Sequence, residues 1–242
     1  MDKQNKSNAK RFIASYNAID SALRAQNSLK RSLTFSDVIR KVVPLNSVVR
    51  KYEDDLIDYS RLRNAIVHGG DDDNPIAEPY DEVVEKIENL EKLITTPPKV
   101  IDTVCRRDVF TIEPTVSIKD TIRIIAESGY SNIPVYDSDG LIGIANGKKI
   151  ISVLGNAIKN GADINDFLCN TPIVDVLKII SFEKYYELAS HEITLDQVLN
   201  MFYDNRKLLV ILVTQNGTAT EQPLGIVTVT DIMDINNIMD NY

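Results

Sequence analysis

Two short segments of this 242-residue chain concentrate the side chains capable of chemistry. The first is Pro223-Leu224-Gly225-Ile226-Val227-Thr228-Val229-Thr230-Asp231-Ile232. Its apolar, β-branched opening reads as a strand, and the hydroxyl of Thr228 with the carboxylate of Asp231 three residues on reads as the start of a helix. A helix start offers unpaired N–H groups and the positive end of a dipole, which suit phosphate. A carboxylate at that place can accept from both hydroxyls of a ribose. Ile226 supplies an apolar flank for a base, and Gly225 opens the strand. The same residues have a purely structural reading, Thr228 as a cap and Asp231 as a first-turn helix acid. The second segment is Leu62-Arg63-Asn64-Ala65-Ile66-Val67-His68-Gly69. Asn64 and His68 are four apart and share a helix stripe, with the long Arg63 side chain beside them. Here too a structural reading stands: Arg63 pairs with Asp54, Asp55 or Asp58, and His68 caps the helix end.

Other chemistries lack their residues. The chain has two histidines, far apart, and two cysteines, Cys105 and Cys169, without motif spacing, so no metal site is expected. It has no Gly-rich phosphate loop, no Gly-x-Ser-x-Gly and no Cys-x-x-Cys. The free thiols fit a reducing, cytoplasmic setting. The first residues, MDKQNKSNAKR, lack the apolar core of a signal peptide, and no apolar run reaches membrane-spanning length.

The elements that must position these residues are legible from periodicity. Apolar content of 43% is that of a folded chain. Thr95-Thr96-Pro97-Pro98 divides it, since proline cannot continue a helix. Before the prolines Phe12, Tyr16, Ile19 and Leu23 recur at helical spacing. A second helix is expected over 35–43, one long helix over 48–67 that Gly69-Gly70 stops, and a fourth over 81–94. Charge is uneven: residues 1–51 hold eleven Lys/Arg against three Asp/Glu, and residues 52–96 hold four against thirteen. A basic front suits a polyanion, or forms a solvated face balancing the acidic stretch.

Beyond the prolines the chain repeats. A shift of 77 residues lays Ser117-Ile118-Lys119-Asp120 on Thr194-Leu195-Asp196-Gln197, and Ile133-Pro134-Val135-Tyr136 on Val210-Ile211-Leu212-Val213. A shift of 82 then lays Gly143-Ile144 on Gly225-Ile226, so the second copy carries five extra residues within a hairpin loop. A capped helix, an Ile-Pro-Val strand, an Asp-Gly turn and Gly-Ile-Val-Thr-x-x-Asp-Ile resemble the CBS domain. The resemblance covers about residues 98–240, with a first copy at about 98–155 and a second at about 172–240. It implies two β-α-β-β-α units packed sheet to sheet, with clefts that take adenosine-containing ligands such as AMP or ATP. It assigns Gly225, Ile226, Thr228 and Asp231 to that ligand. In the first copy Asn146 stands for the threonine and Lys149 for the aspartate. A lysine cannot accept from a ribose hydroxyl, so one good site is expected rather than two.

The Arg63-Asn64-x3-His68 segment, near the end of a long helix in a small bundle, resembles the Arg-x4-His motif of HEPN domains. That resemblance covers about residues 8–95 and implies a homodimer in which two such helices build one composite site. It implies metal-independent RNA cleavage, with His68 as general acid or base, Arg63 on the phosphate and Asn64 orienting one of them. Asp71-Asp72-Asp73 follows at once and opposes an approaching polyanion.

The expected fold class is therefore α+β: an all-α bundle over residues 1–95, then a tandem CBS pair over 96–242. Two functions follow. One is a regulator whose CBS pair senses an adenine nucleotide and controls a HEPN-like endoribonuclease. The other is a non-enzymatic nucleotide sensor whose helices serve dimerisation or partner docking. RNA is a partner under the first alone, and neither involves a membrane.

Overall fold

The computed structural model describes residues 7–67, 75–180 and 184–242. Along the chain the described elements are α1 (Asn8–Gln26), α2 (Phe35–Val42), α3 (Ser47–Lys51), α4 (Glu53–Ile66), α5 (Asp81–Thr95), α6 (Ile118–Ser128), β1 (Asn132–Asp137), β2 (Gly140–Asn146), α7 (Gly147–Lys159), α8 (Ile164–Asn170), α9 (Ile173–Ile180), β3 (Tyr186–Ser190), α10 (Leu195–Asp204), β4 (Val210–Thr214), β5 (Gly225–Thr228) and α11 (Ile232–Asp240). The class is α+β: helices first, then two successive β-α arrangements. The chain divides into two compact units. One holds Met1–Pro98 with Thr194–Asn200 and Met233–Tyr242, and the other Lys99–Ile193 with Met201–Ile232.

In the first unit, side-chain caps set the helix starts. Ser7, Thr34 and Asn46 accept from the N–H three residues on and open α1, α2 and α3. Asn8 donates to Asp81 at 2.6 Å and Gln26 to the Ile94 carbonyl at 2.9 Å, so α1 and α5 run side by side in one direction. Arg11 joins their facing sides through a two-pronged pair with Glu88, each bond 2.9 Å. Phe12, Ile19, Leu23, Leu56, Ile66 and Ile87 are fully buried beneath, each removing apolar surface worth roughly 1.5–3 kcal/mol. The single helix expected over 48–67 is in fact two. Tyr52 has φ −109° and ψ 26°, outside the helical well, and separates α3 from α4. Its hydroxyl is held by Asp240 at 2.9 Å, a long-range partner that periodicity cannot register. Residues of α3 and the turn before it also hold α10: Ser47 donates to the Asp196 carbonyl at 3.0 Å and Asn200 to the Leu45 carbonyl at 2.9 Å.

The second unit is built on two small sheets. β1 and β2 form an antiparallel hairpin, and Ile112 extends it alongside β1 in parallel. In the other sheet β3 pairs parallel with β4 and β4 antiparallel with β5. Arg106 adds an antiparallel bridge to β5, exchanging backbone hydrogen bonds with Ile226 at 3.2 and 3.0 Å. Ile118, Ile133, Val135, Ile144, Ile150, Ile173 and Val176 form the core. β4 is buried along its whole length, which accounts for its unbroken Val-Ile-Leu-Val run. Gly140 closes the hairpin at φ +128°, and a Cβ there would fall 2.3 Å from the Ala219 carbonyl oxygen, so only glycine fits. That carbonyl accepts from Leu141 N–H at 2.8 Å, joining the turn of the first copy to the inserted loop of the second.

Candidate ligand-binding site

β5 ends at Thr228, and the chain turns through a short 3-10 helix, Val229–Asp231, into α11. The two expected site residues close a reciprocal cap at this junction. The Thr228 side chain accepts from the Asp231 N–H, and Asp231 Oδ2 accepts from the Thr228 N–H at 2.7 Å. The Thr228 hydroxyl reaches the same oxygen at 2.9 Å. The other oxygen, Oδ1, lies 3.7 Å from Arg106 Nη2. Asp231 is buried, so this carboxylate first holds the strand-to-helix turn, and Oδ1 is its less committed acceptor.

Thr228 opens on a cavity of ≈380 Å³ walled by both sequence copies. From the second copy come Leu209, Ile226, Thr228, Val229 and Thr230. From the first come the approach segment with Arg106, Asp108 and Phe110, the turn with Tyr130, Ser131 and Asn132, and Asn146 at the end of β2. Phe110 and Tyr130 are 48% and 42% exposed, so part of each ring is bare at the cavity wall. Asn146 is buried and engaged: it donates to Asn132 at 2.6 Å and accepts from Lys149 N–H at 3.0 Å. The cavity thus offers rings and aliphatic carbons on one part, hydroxyls and amides on another, and a guanidinium at its edge. That combination suits a flat ring system bearing hydroxyl groups.

Of the four residues expected here, Ile226 and Thr228 line the cavity. Gly225 and Asp231 stand behind it. Gly225 is needed for close packing, since a Cβ there would meet Cys105 Sγ at 2.2 Å. Lys149, the first-copy counterpart of Asp231, is half-buried with its ammonium 5.5 Å from the centre of the Tyr185 ring, a cation–π arrangement. Arg106, Phe110 and Asn132 were not singled out from sequence, and Thr230 was quoted only as part of the Thr228–Asp231 segment, without a role. The first three carry no periodic or motif signal and meet only through the sheets.

Arg63 and Asn64 lie on the last turn of α4 in the first unit, Arg63 half-buried and Asn64 exposed, while His68 lies outside the described residues. Burial pushes the phenol of nearby Tyr16 upward, partly offset by its hydrogen bond with Ser60 on α4. Among the described residues no three His, Cys, Asp or Glu side chains are grouped to hold a metal ion. No described helix is long and apolar enough to cross a membrane.

No curated protein matches the sequence. Three similar solved structures are the following. A CBS-domain-containing protein from Agrobacterium tumefaciens is 21% identical, with 54% of this chain and 85% of that one covered and a TM-score of 0.41. CBSX2 in complex with AMP is 15% identical, with 59% and 98% covered and a TM-score of 0.44. CbpB in complex with c-di-AMP is 17% identical, with 65% and 99% covered and a TM-score of 0.46. The family model described as "CBS domain" matches residues 100–156, the stretch that contains β1, β2 and most of α7. The chain therefore contains a CBS domain over residues 100–156.

Proposed function

We propose that this chain is a nucleotide-sensing regulator whose cavity takes an adenosine-containing ligand. The observation that carries this reading is the wall of the cavity: exposed Phe110 and Tyr130 for a base, with Thr228, Thr230 and Asn132 for ribose hydroxyls, supplied by both sequence copies. The CBS match over residues 100–156 supports it. AMP and c-di-AMP, the ligands of the two complexes above, belong in the panel to be tested. The test is thermal stability against adenine and guanine nucleotides. A ligand that binds the folded chain raises its midpoint; no rise with any compound would remove the reading.

For the helical segment we propose the HEPN-like reading: a homodimer in which Arg63, Asn64 and His68 of two chains cleave RNA without a metal, under control of the nucleotide. RNA cleavage that persists in EDTA and is lost in His68→Ala supports it. Inactivity on varied RNAs, with and without the bound nucleotide, favours the alternative of a non-enzymatic sensor whose helices dimerise or dock a partner.

A further inference from the structure

Resting on the nucleotide reading of the cavity, we infer that the cleft related to it by the sequence repeat is filled by the chain's own Tyr185, whose ring stands in place of a ligand ring, so that the chain takes a single nucleotide. The repeat locates that cleft. The shift of 77 lays Asp108, on the cavity wall, on Tyr185. The shift of 82 lays Ile144 on Ile226, also on the cavity wall, and Lys149 on Asp231. The Tyr185 side chain meets both of these first-copy residues. Its hydroxyl donates to the Ile144 carbonyl, and the Lys149 ammonium lies 5.5 Å from the ring centre. Tyr186 packs edge-on against the same ring, with 5.4 Å between centroids.

The two clefts differ in how their rings are held. Phe110 and Tyr130 at the cavity are partly bare, whereas Tyr185 is 2% exposed. Its backbone is fixed too, because its carbonyl accepts from the Leu209 and Val210 N–H groups at 2.7 and 3.2 Å. A ligand enters this cleft only by expelling the ring. That would strip the Ile144 carbonyl of its hydroxyl donor and expose apolar surface. Lys149 therefore acts twice. It removes the carboxylate that a ribose would need, and it puts a cation over the phenol that replaces the ligand. The departure of the first copy from the repeat and the burial of Tyr185 thus belong to one arrangement.

Calorimetric titration of the full chain with AMP counts the sites. The unaltered chain is expected to take up a single equivalent. Tyr185→Val removes the ring and keeps a strand-compatible residue. It is expected to take up a second equivalent, with the affinity of the first changed by less than about twofold. p-Cresol, the tyrosine side chain as a free molecule, is expected to displace the second equivalent and spare the first. Tyr185→Phe keeps the ring and is expected to stay at a single equivalent. Where melting shows that Tyr185→Val does not fold, Tyr185→Leu, closer in volume, carries the same expectations. Two equivalents in the unaltered chain, or a single one in the folded ring-less variant, overturns the plug and leaves the nucleotide site standing. Absence of AMP uptake by every chain overturns both.

Discussion

The Tyr52 hydroxyl donates to the Asp240 carboxylate at 2.9 Å, across 188 positions of sequence. The Lys51 ammonium meets the same carboxylate oxygen, and together the two partners hold Asp240 below the ordinary carboxylate range. Burial, reinforced by that carboxylate, pushes the Tyr52 phenol far upward, so it stays a donor at any ordinary pH. This small cluster anchors the end of α11 and occupies the residue that interrupts α3 and α4.

Tyr52→Phe and Asp240→Asn should each lower stability by about 0.5–1 kcal/mol, because the pair is half-exposed and its hydrogen bond is charge-assisted. The double variant should cost less than the sum, since both remove one interaction. Urea denaturation at pH 7 reads this. Asp240 is depressed in the folded chain, so its contribution is present above the unfolded carboxyl value of about 4 and is lost as pH falls through the folded value. The gap between wild type and Asp240→Asn should therefore narrow toward pH 3.

Gly225→Ala should destabilise the second unit by about 1–3 kcal/mol, because its methyl group would lie 2.2 Å from Cys105 Sγ and 3.2 Å from the Arg106 carbonyl oxygen. Adding Cys105→Ala should recover most of the loss. Burial raises the Cys105 thiol to about 11, which keeps it protonated and leaves packing as its role. Paired melting curves decide the matter; additive losses would place the strain elsewhere.

Glu221 ties the inserted loop of the second copy. It accepts from the Asn216 N–H at 2.8 Å and from the Thr214 hydroxyl at 2.8 Å, and these hydrogen bonds lower its pKa to about 2. A depressed carboxyl stabilises above its unfolded value, and the effect fades as pH falls toward the folded one. Hydrogen exchange at the Asn216 amide should accelerate in Glu221→Gln at pH 7. An unchanged rate would show that the loop is held without the charge.

Asp231→Ala removes the acceptor for the Thr228 N–H and should cost about 1 kcal/mol of cap energy, or roughly 2–4 °C in melting of a chain this size. It should also abolish the AMP-induced rise in midpoint. A variant that melts lower yet keeps the full rise would confine Asp231 to the cap.

Much of the local structure could be read from residue order. Ser117 before Ile118–Ser128 is a cap, and its hydroxyl accepts from the Asp120 N–H at 3.0 Å. The Val-Ile-Leu-Val run is a buried strand, and the repeat of Gly143-Ile144 at Gly225-Ile226 marks β2 and β5. Less of the site was readable. Ile226 and Thr228 carry a local pattern, whereas Arg106 and Phe110 reach the cavity because a single residue bridge lays their segment against β5.

Residue order alone established the caps, the repeat and the strand-to-helix turn at Thr228–Asp231, because each is settled by energies acting within a few residues. The break at Tyr52, the pairing of Arg106 with Asp231 and the anchoring of Asp240 required the folded chain. Each of these joins groups between 125 and 189 positions apart in the sequence, held by backbone bridges and buried surfaces that no short window of sequence contains.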